Sequence, residues 1–203
     1  MTANNGHAPA AATHLTAADL FSLEHYARTR TEFRNRVLEH KKLRNIAVGP
    51  HTTWCFEDRL TVQYQIQEML RAERIFEPQG IEEELESYNP LIPDGCNLKA
   101  TLLIEYTDAE ERRIALERFK GIEARCWLGV GGERCFAIAD EDLERENETK
   151  TSAVHFLRFE LSPAARAALK AGAIVELGVD HEAYRHRIVT SAATSRSLAA
   201  DLA

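Results

Sequence analysis

Residues Leu98–Tyr106, LKATLLIEY, mark the point at which the chain changes character. Apolar and polar residues alternate there, the two-residue period that sends successive side chains to opposite faces of a strand. The downstream chain continues in that texture. ARCWLGVGGERCFAIAD (124–140) gives the clearest hairpin signal, two short runs about Gly131-Gly132, a pair able to take the positive φ that tight hairpin turns demand. SAVHFLRFEL (152–161) and AIVELGVDH (173–181) read as further strands, the second of them the last. EERRIALERFKGI (110–122) reads as a connecting helix. SPAARAALKAG (162–172) reads as another, with Ser162 as cap, Pro163 at its first position and Gly172 at its end.

Upstream of Leu98 the period is helical. Thr16 caps a helix that carries Leu20, Leu23, Tyr26 and Ala27 at helical spacing and continues through TRTEFRNRVLEHKKLRNI (29–46). Lys41, Lys42 and Arg44 suit the negative end of its dipole, as a solvated basic face. Gly49-Pro50 breaks it, TTWCFED (52–58) reads as a short strand, and a helix from Thr61 closes at Pro78 and Gly80. IEEELESYNPLIP (81–93) adds a short helix stopped by Pro90, so that the two form a helical hairpin. The expected architecture is α+β: N-terminal helices and a helical hairpin packed on a mainly antiparallel sheet. Residues 1–15 read as a disordered leader, 16–192 as a single globular domain and 193–203 as a loose tail.

The 203 residues are 44% hydrophobic and carry a formal charge of −7. That composition supports one ordinary core and argues against nucleic acid or an anionic membrane surface as partner, since both need a basic footprint. No run approaches the roughly 20 apolar residues of a membrane span, and the N-terminus lacks a secretory pattern, so a cytoplasmic protein is expected. Cys55, Cys96, Cys126 and Cys135 are widely spaced and read as reduced thiols. Cys126 and Cys135 fall diagonally on one hairpin face. G-x-S-x-G, H-E-x-x-H and Walker patterns are all missing from the sequence.

TVQYQIQEMLRAERIF (61–76) holds the densest cluster of candidate functional residues. At roughly 100° per residue, Val62, Ile66, Met69, Leu70 and Phe76 share an arc, and Glu73 falls near its middle. A carboxylate drawn into a core needs a partner. Either an arginine (Arg28, Arg34 or Arg158) or a metal could answer it. Alternation in the late strands points His155 and His181 inward, and these would join Glu73 as ligands for iron or zinc if their strands are antiparallel neighbours. Glu84 or Glu105 could complete such a set. Gln65, Gln67, Glu68, Arg71 and Arg74 occupy the flanks and far side of the helix, the face a partner would meet.

SLEHYARTRTEFRNRVLEHKKLRNIAVGP, FEDRLTVQYQIQEMLRAERI, EEELESYNPLIP, LKATLLIEY and SAVHFLRFEL together resemble the bacterial family called domain of unknown function 3501. The resemblance runs from about Leu15 to His186 and is most specific at QIQEMLRAER and YNPLIP. It associates Glu57, Gln65, Gln67, Glu68, Arg71, Glu73, Arg74, Tyr88, Asn89, Glu105, His155 and Arg158 with the family's motifs. It also implies company: members are often encoded beside rubrerythrin-like di-iron proteins and iron-sulfur oxidoreductases. Two expectations follow. One is an accessory protein of an iron-dependent redox or peroxide-defence system, meeting rubrerythrin-like or iron-sulfur partners through Gln65, Gln67, Glu68, Arg71, Arg74, Tyr88 and Asn89, with Glu73 and Arg158 as a buried polar anchor. The alternative is a metal-binding protein or metal-dependent enzyme built on Glu73, His155 and His181.

Overall fold

The computed structural model describes residues 14–139 and 150–203. Residues 1–13 of the expected leader, and Asp140 at the end of the hairpin stretch, lie outside them. The architecture is α+β, with all strand pairs antiparallel. In chain order the elements are α1 (Leu23–Lys41), β1 (Asn45–Ala47), β2 (Thr52–Phe56), α2 (Arg59–Glu73), α3 (Pro78–Tyr88), β3 (Asn97–Ile104), α4 (Ala109–Arg118), β4 (Cys126–Val130) and β5 (Glu133–Phe136). They continue with β6 (Ile138–Ala139), β7 (Val154–Glu160), α5 (Pro163–Lys170), β8 (Glu176–His181), β9 (Tyr184–Val189) and α6 (Ala192–Ala199).

The strands form two sheets, β1-β2-β3-β7-β6 and β5-β4-β8-β9. β5 and β6 are one extended segment that changes sheet at Ala137: Leu128 faces Cys135, Ala137 donates its N–H to the Cys126 carbonyl, and Ile138 then pairs with Arg158. The inner faces share one core, with Trp54, Phe56, Leu98, Leu102, Leu157 and Phe159 from one sheet meeting Cys126, Leu128, Leu177 and Val179 from the other. The Gly131-Gly132 turn has the expected geometry, φ 62° and 86°, which an L residue with a Cβ rarely adopts. Helix α5 starts and stops as read, Ser162 Oγ accepting from the Ala165 N–H at 3.0 Å.

Several expectations are corrected. Thr16 caps only a single 3-10 turn, Ala17–Asp19; the long helix restarts at Leu23 under a Ser22 cap. That helix ends at Lys41, and Asn45–Ala47 folds back as a strand because Arg44 is drawn inward rather than left in water. Leu15, assigned to the leader, is buried, and residues 193–203 are no loose tail: α6 lies there with Leu198 fully buried and Leu202 nearly so. β9 lies beyond the strand read as final. It hides because its outward residues, Arg185, Arg187 and Val189, face solvent on an edge strand.

The helical hairpin is real, but its hinge is not where proline suggested. Pro78 opens α3 instead of closing α2. Helix α2 stops at Arg74, which takes a left-handed φ of 56°, and the Ile75 N–H bonds the Leu70 carbonyl at 2.9 Å. A non-glycine residue there is strained. Arg74→Gly is expected to stabilise the chain by about 0.5–1 kcal/mol, read as a higher urea midpoint with an unchanged slope. No helix among the described residues is long and apolar enough to cross a membrane.

Candidate functional site

The polar face of helix α2 is spent largely on the fold rather than left for a partner. Arg59, Gln63 and Gln67 recur every fourth residue and so share one stripe. They grip the extended segment before α1: Arg59 donates to the His14 carbonyl at 2.7 Å, Gln63 to the Asp19 carbonyl at 2.6 Å, and Gln67 both accepts from the Phe21 N–H at 2.5 Å and donates to its carbonyl at 3.3 Å. Asn89 repeats the two-point clasp on Leu15, at 2.7 and 2.9 Å. A carboxamide offers a donor and an acceptor side by side, matching one residue's N–H and C=O as a neighbouring strand would. Gln67 is therefore fully buried and structural.

The remaining motif residues scatter. Glu68 holds Arg30 through two bonds of 2.7 Å and accepts from the Tyr26 hydroxyl; Arg30 above all keeps its carboxyl below the usual range. Glu73 is exposed, as are Arg71 and Arg74, and Phe76 is 68% exposed. Glu73 is the last residue of α2, where the arc has run out to solvent, and Ile75 beyond the Arg74 cap packs against the hairpin cluster instead. The buried anchor of Glu73 with Arg158 does not form: Arg158 lies on β7, half exposed and ion-paired with Glu160. Tyr88 packs against the hairpin cluster.

His155 and His181 are both buried, as alternation required, but they stand in different sheets. His155 Nε2 lies 2.9 Å from the Ser152 carbonyl and 3.1 Å from Thr151 Oγ1, and Glu123 Oε2 is 3.7 Å from its other nitrogen. His181 faces the Lys120 carbonyl at 3.0 Å and accepts from the Ala183 N–H at 3.1 Å. Glu84 is held above the ordinary carboxyl range, by burial first and Glu73 second, and Glu105 accepts from the Thr53 hydroxyl. Among the described residues no three His, Cys, Asp or Glu side chains converge on a point where they could hold a metal ion. All four cysteines are free thiols.

What the fold does bring together is a cleft of about 390 Å³ on the outer face of the five-stranded sheet. Glu57 sits at the end of β2, Lys99 on β3, and Arg158 and Phe156 on β7; Pro90 and Leu91 form one wall and Ile138 and Ala139 another. Glu57 is nearly fully buried, and both its oxygens are engaged. Thr101 Oγ1 reaches one at 2.8 Å, while Thr61 Oγ1 and Gln65 Nε2 reach the other at 2.6 and 2.9 Å. Lys99 donates to the Pro90 and Ile92 carbonyls at 2.6 and 2.9 Å, tying the YNPLIP turn to the sheet, and burial holds its ammonium below the normal lysine range. Thus Glu57, held by Gln65 of its own motif stretch, and Arg158 of another meet the YNPLIP turn in one place. Periodicity had no means of finding this, since the residues lining the cleft span 101 positions, from Glu57 to Arg158; the half-polar outer face of LKATLLIEY, with Lys99 and Thr101, was the local sign.

A family model described as a protein of unknown function, DUF3501, matches residues 14–202. A crystal structure of a novel protein of unknown function from Burkholderia pseudomallei K96243 is 50% identical, covering 93% of this chain and 99% of its own, with a TM-score of 0.88. No curated protein matches.

Proposed function

The chain belongs to the domain of unknown function 3501 family, and from that premise we propose that it is a cytoplasmic accessory protein of an iron-dependent redox or peroxide-defence system, acting by protein contact. The observation that carries this reading is the state of the cleft's polar groups. Glu57 and Lys99 spend their hydrogen bonds on the fold itself, so they serve as architecture more readily than as a general base or a nucleophile. Arg158, half exposed and paired at the surface with Glu160, and an apolar rim of Leu91, Ile138 and Phe156 are the groups that face a ligand. An arginine beside exposed apolar surface is the composition of a protein-contact hot spot.

The partner class to test is the one the family resemblance implies, rubrerythrin-like or iron-sulfur proteins. A tagged wild-type chain and a folded Arg158→Glu/Ile138→Asp variant would be used for capture from native cells with and without peroxide. The wild type is expected to recover a redox protein of that class, and the variant to lose it by about tenfold or more, the effect of removing one well-placed anchor. Recovery of no such protein, or equal recovery by both chains, overturns the proposal.

A further inference from the structure

A second cleft lies where the two sheets part, between the β1–β2 turn and the β8–β9 turn, and we propose that it binds a planar aromatic anion of small-molecule size. It encloses about 430 Å³, within the range of ligand pockets. Its walls come from four separate segments: His51 from the β1–β2 turn, Tyr106 from the end of β3, Arg118 and Phe119 from α4 and the residue after it, and Tyr184 and His186 from β9. The site is independent of the partner-binding cleft and shares no residue with it.

The aromatic walls are set in place by the fold. Tyr184 is buried, its hydroxyl donating to the Val48 carbonyl at 2.8 Å and accepting from the His51 N–H at 3.0 Å. That pair of bonds bridges the opening between the sheets. The His51 ring stacks on Tyr106 with centroids 3.9 Å apart and planes 12° from parallel, and its Nδ1 lies 3.3 Å from the Glu105 carbonyl. Since the carbonyl can only accept, Nδ1 is the protonated nitrogen, and Nε2 is left as an acceptor in the neutral ring. Tyr184 contacts Phe119 at 5.2 Å and His186 at 4.4 Å between centroids. Gly49, at φ 82°, permits this closeness: a Cβ there would lie 2.5 Å from both His186 Cγ and the Tyr184 hydroxyl.

The charge at the mouth selects the ligand. Arg118 is exposed on the rim, and among the described residues it has no ion-pair or hydrogen-bond partner. The adjoining hollow that Arg118 also lines carries Lys120 together with Glu117 and Glu182, so the charges there balance and the cationic group at the mouth is the Arg118 guanidinium itself. Guanidinium and ring faces together favour a flat, negatively charged molecule, whose body stacks while its acidic group takes the fork. Glu111, across the mouth, adds an acceptor for a donor group on the same ligand.

The test uses the full chain with naphthalene-2-sulfonate as probe, against the uncharged 2-naphthylmethanol, by calorimetry and by NMR of the imidazole resonances. The sulfonate is expected to bind and to move the His51 and His186 signals, with the alcohol weaker by about tenfold and Arg118→Ala, an exposed position that leaves the core intact, lowering sulfonate affinity by about tenfold or more. Ile138→Asp, in the other cleft, is expected to leave it unchanged. No binding at millimolar probe, equal affinity of wild type and Arg118→Ala, or binding that leaves the His51 and His186 signals unmoved overturns the assignment.

Discussion

Replacing Arg44 by alanine is expected to remove about 3–5 kcal/mol of stability, the effect of breaking a buried ion pair from one side. Against a total of about 5–15 kcal/mol for a domain, that is a large share. The guanidinium is 1% exposed. It donates to the carbonyls of Phe56 and Glu57, both at 3.0 Å, and to that of Ser197 at 3.2 Å, contacts Asp201, and lies 3.5 Å from Asp58. One side chain thus fastens the start of β1, the β2–α2 junction and the C-terminal segment. Alanine would take from three carbonyls and the Asp201 carboxylate the guanidinium that donates to them, and from Asp58 a neighbouring cation. Lysine would not rescue it, because a single ammonium cannot span the positions that a planar fork reaches. Urea unfolding followed by tryptophan fluorescence reads the loss; a variant within about 1 kcal/mol of wild type would contradict this account.

The same cluster sets a pH dependence. Burial, which outweighs the opposing pull of Arg44, pushes the Asp201 carboxyl up to about 6 from its ordinary 3.8. The folded chain therefore keeps a proton that the unfolded chain releases, and stability falls as pH rises through the window from about 4 to about 6. Asp58 has the opposite sign: Arg44 is the largest of the groups that hold it below 3.8 against burial, so its contribution is present above that value and is lost on acidification. Asp201→Asn removes the first effect and leaves the second. The difference between variant and wild-type unfolding free energies is expected to change across pH 4–6 and to be flat above it.

Arg44 also shows where reading a sequence stops. Alternation and turn chemistry are local, and they correctly placed β2, β3, the Gly131-Gly132 hairpin, β7 and α5, because each of those elements buries a face whose period is visible within ten residues. The inward direction of His155 and His181 followed from the same rule. Whether two inward side chains meet depends on sheet assignment, and the crossing at Ala137 that splits the strands into two sheets leaves no periodic trace. Glu73 failed for a related reason. The helical wheel assumed a turn more of helix than Arg74 permits, and in the last turn that does form, the carboxylate of Glu73 reaches solvent. Arg44 and Gln67 erred in the other direction, polar residues assigned to water that the fold takes inside, because their partners lie 157 and 46 positions away. The cleft of Glu57, Lys99 and Arg158 has the same origin, since a site assembled from three strands and a turn exists only after the register is set.

Trp127→Ala is expected to rank with Arg44→Ala, at about 3–5 kcal/mol, and its coupling to Gly178 makes the cause separable from simple loss of bulk. Trp127 is 1% exposed on the face of β4 turned away from the main core, directly across from Gly178 on β8. The indole lies over that glycine: a Cβ at 178 would be 2.2 Å from Cζ2 and 2.4 Å from Cε2. On the ring's other side the Arg134 guanidinium stands 3.7 Å from the centroid. Gly178→Ala alone must displace the ring, a strain of about 1–3 kcal/mol. In the Trp127→Ala background the same added methyl enters vacated space, and there it is expected to be neutral or to stabilise by up to about 1 kcal/mol, since alanine suits a strand interior better than glycine. A double-mutant cycle should therefore return a coupling of about 1–3 kcal/mol. Additive losses would mean that the indole does not rest on Gly178. Arg134→Ala, which removes a surface cation over the ring and its exposed ion pair with Asp180, is expected to cost about 0.5–1 kcal/mol and to leave that coupling intact.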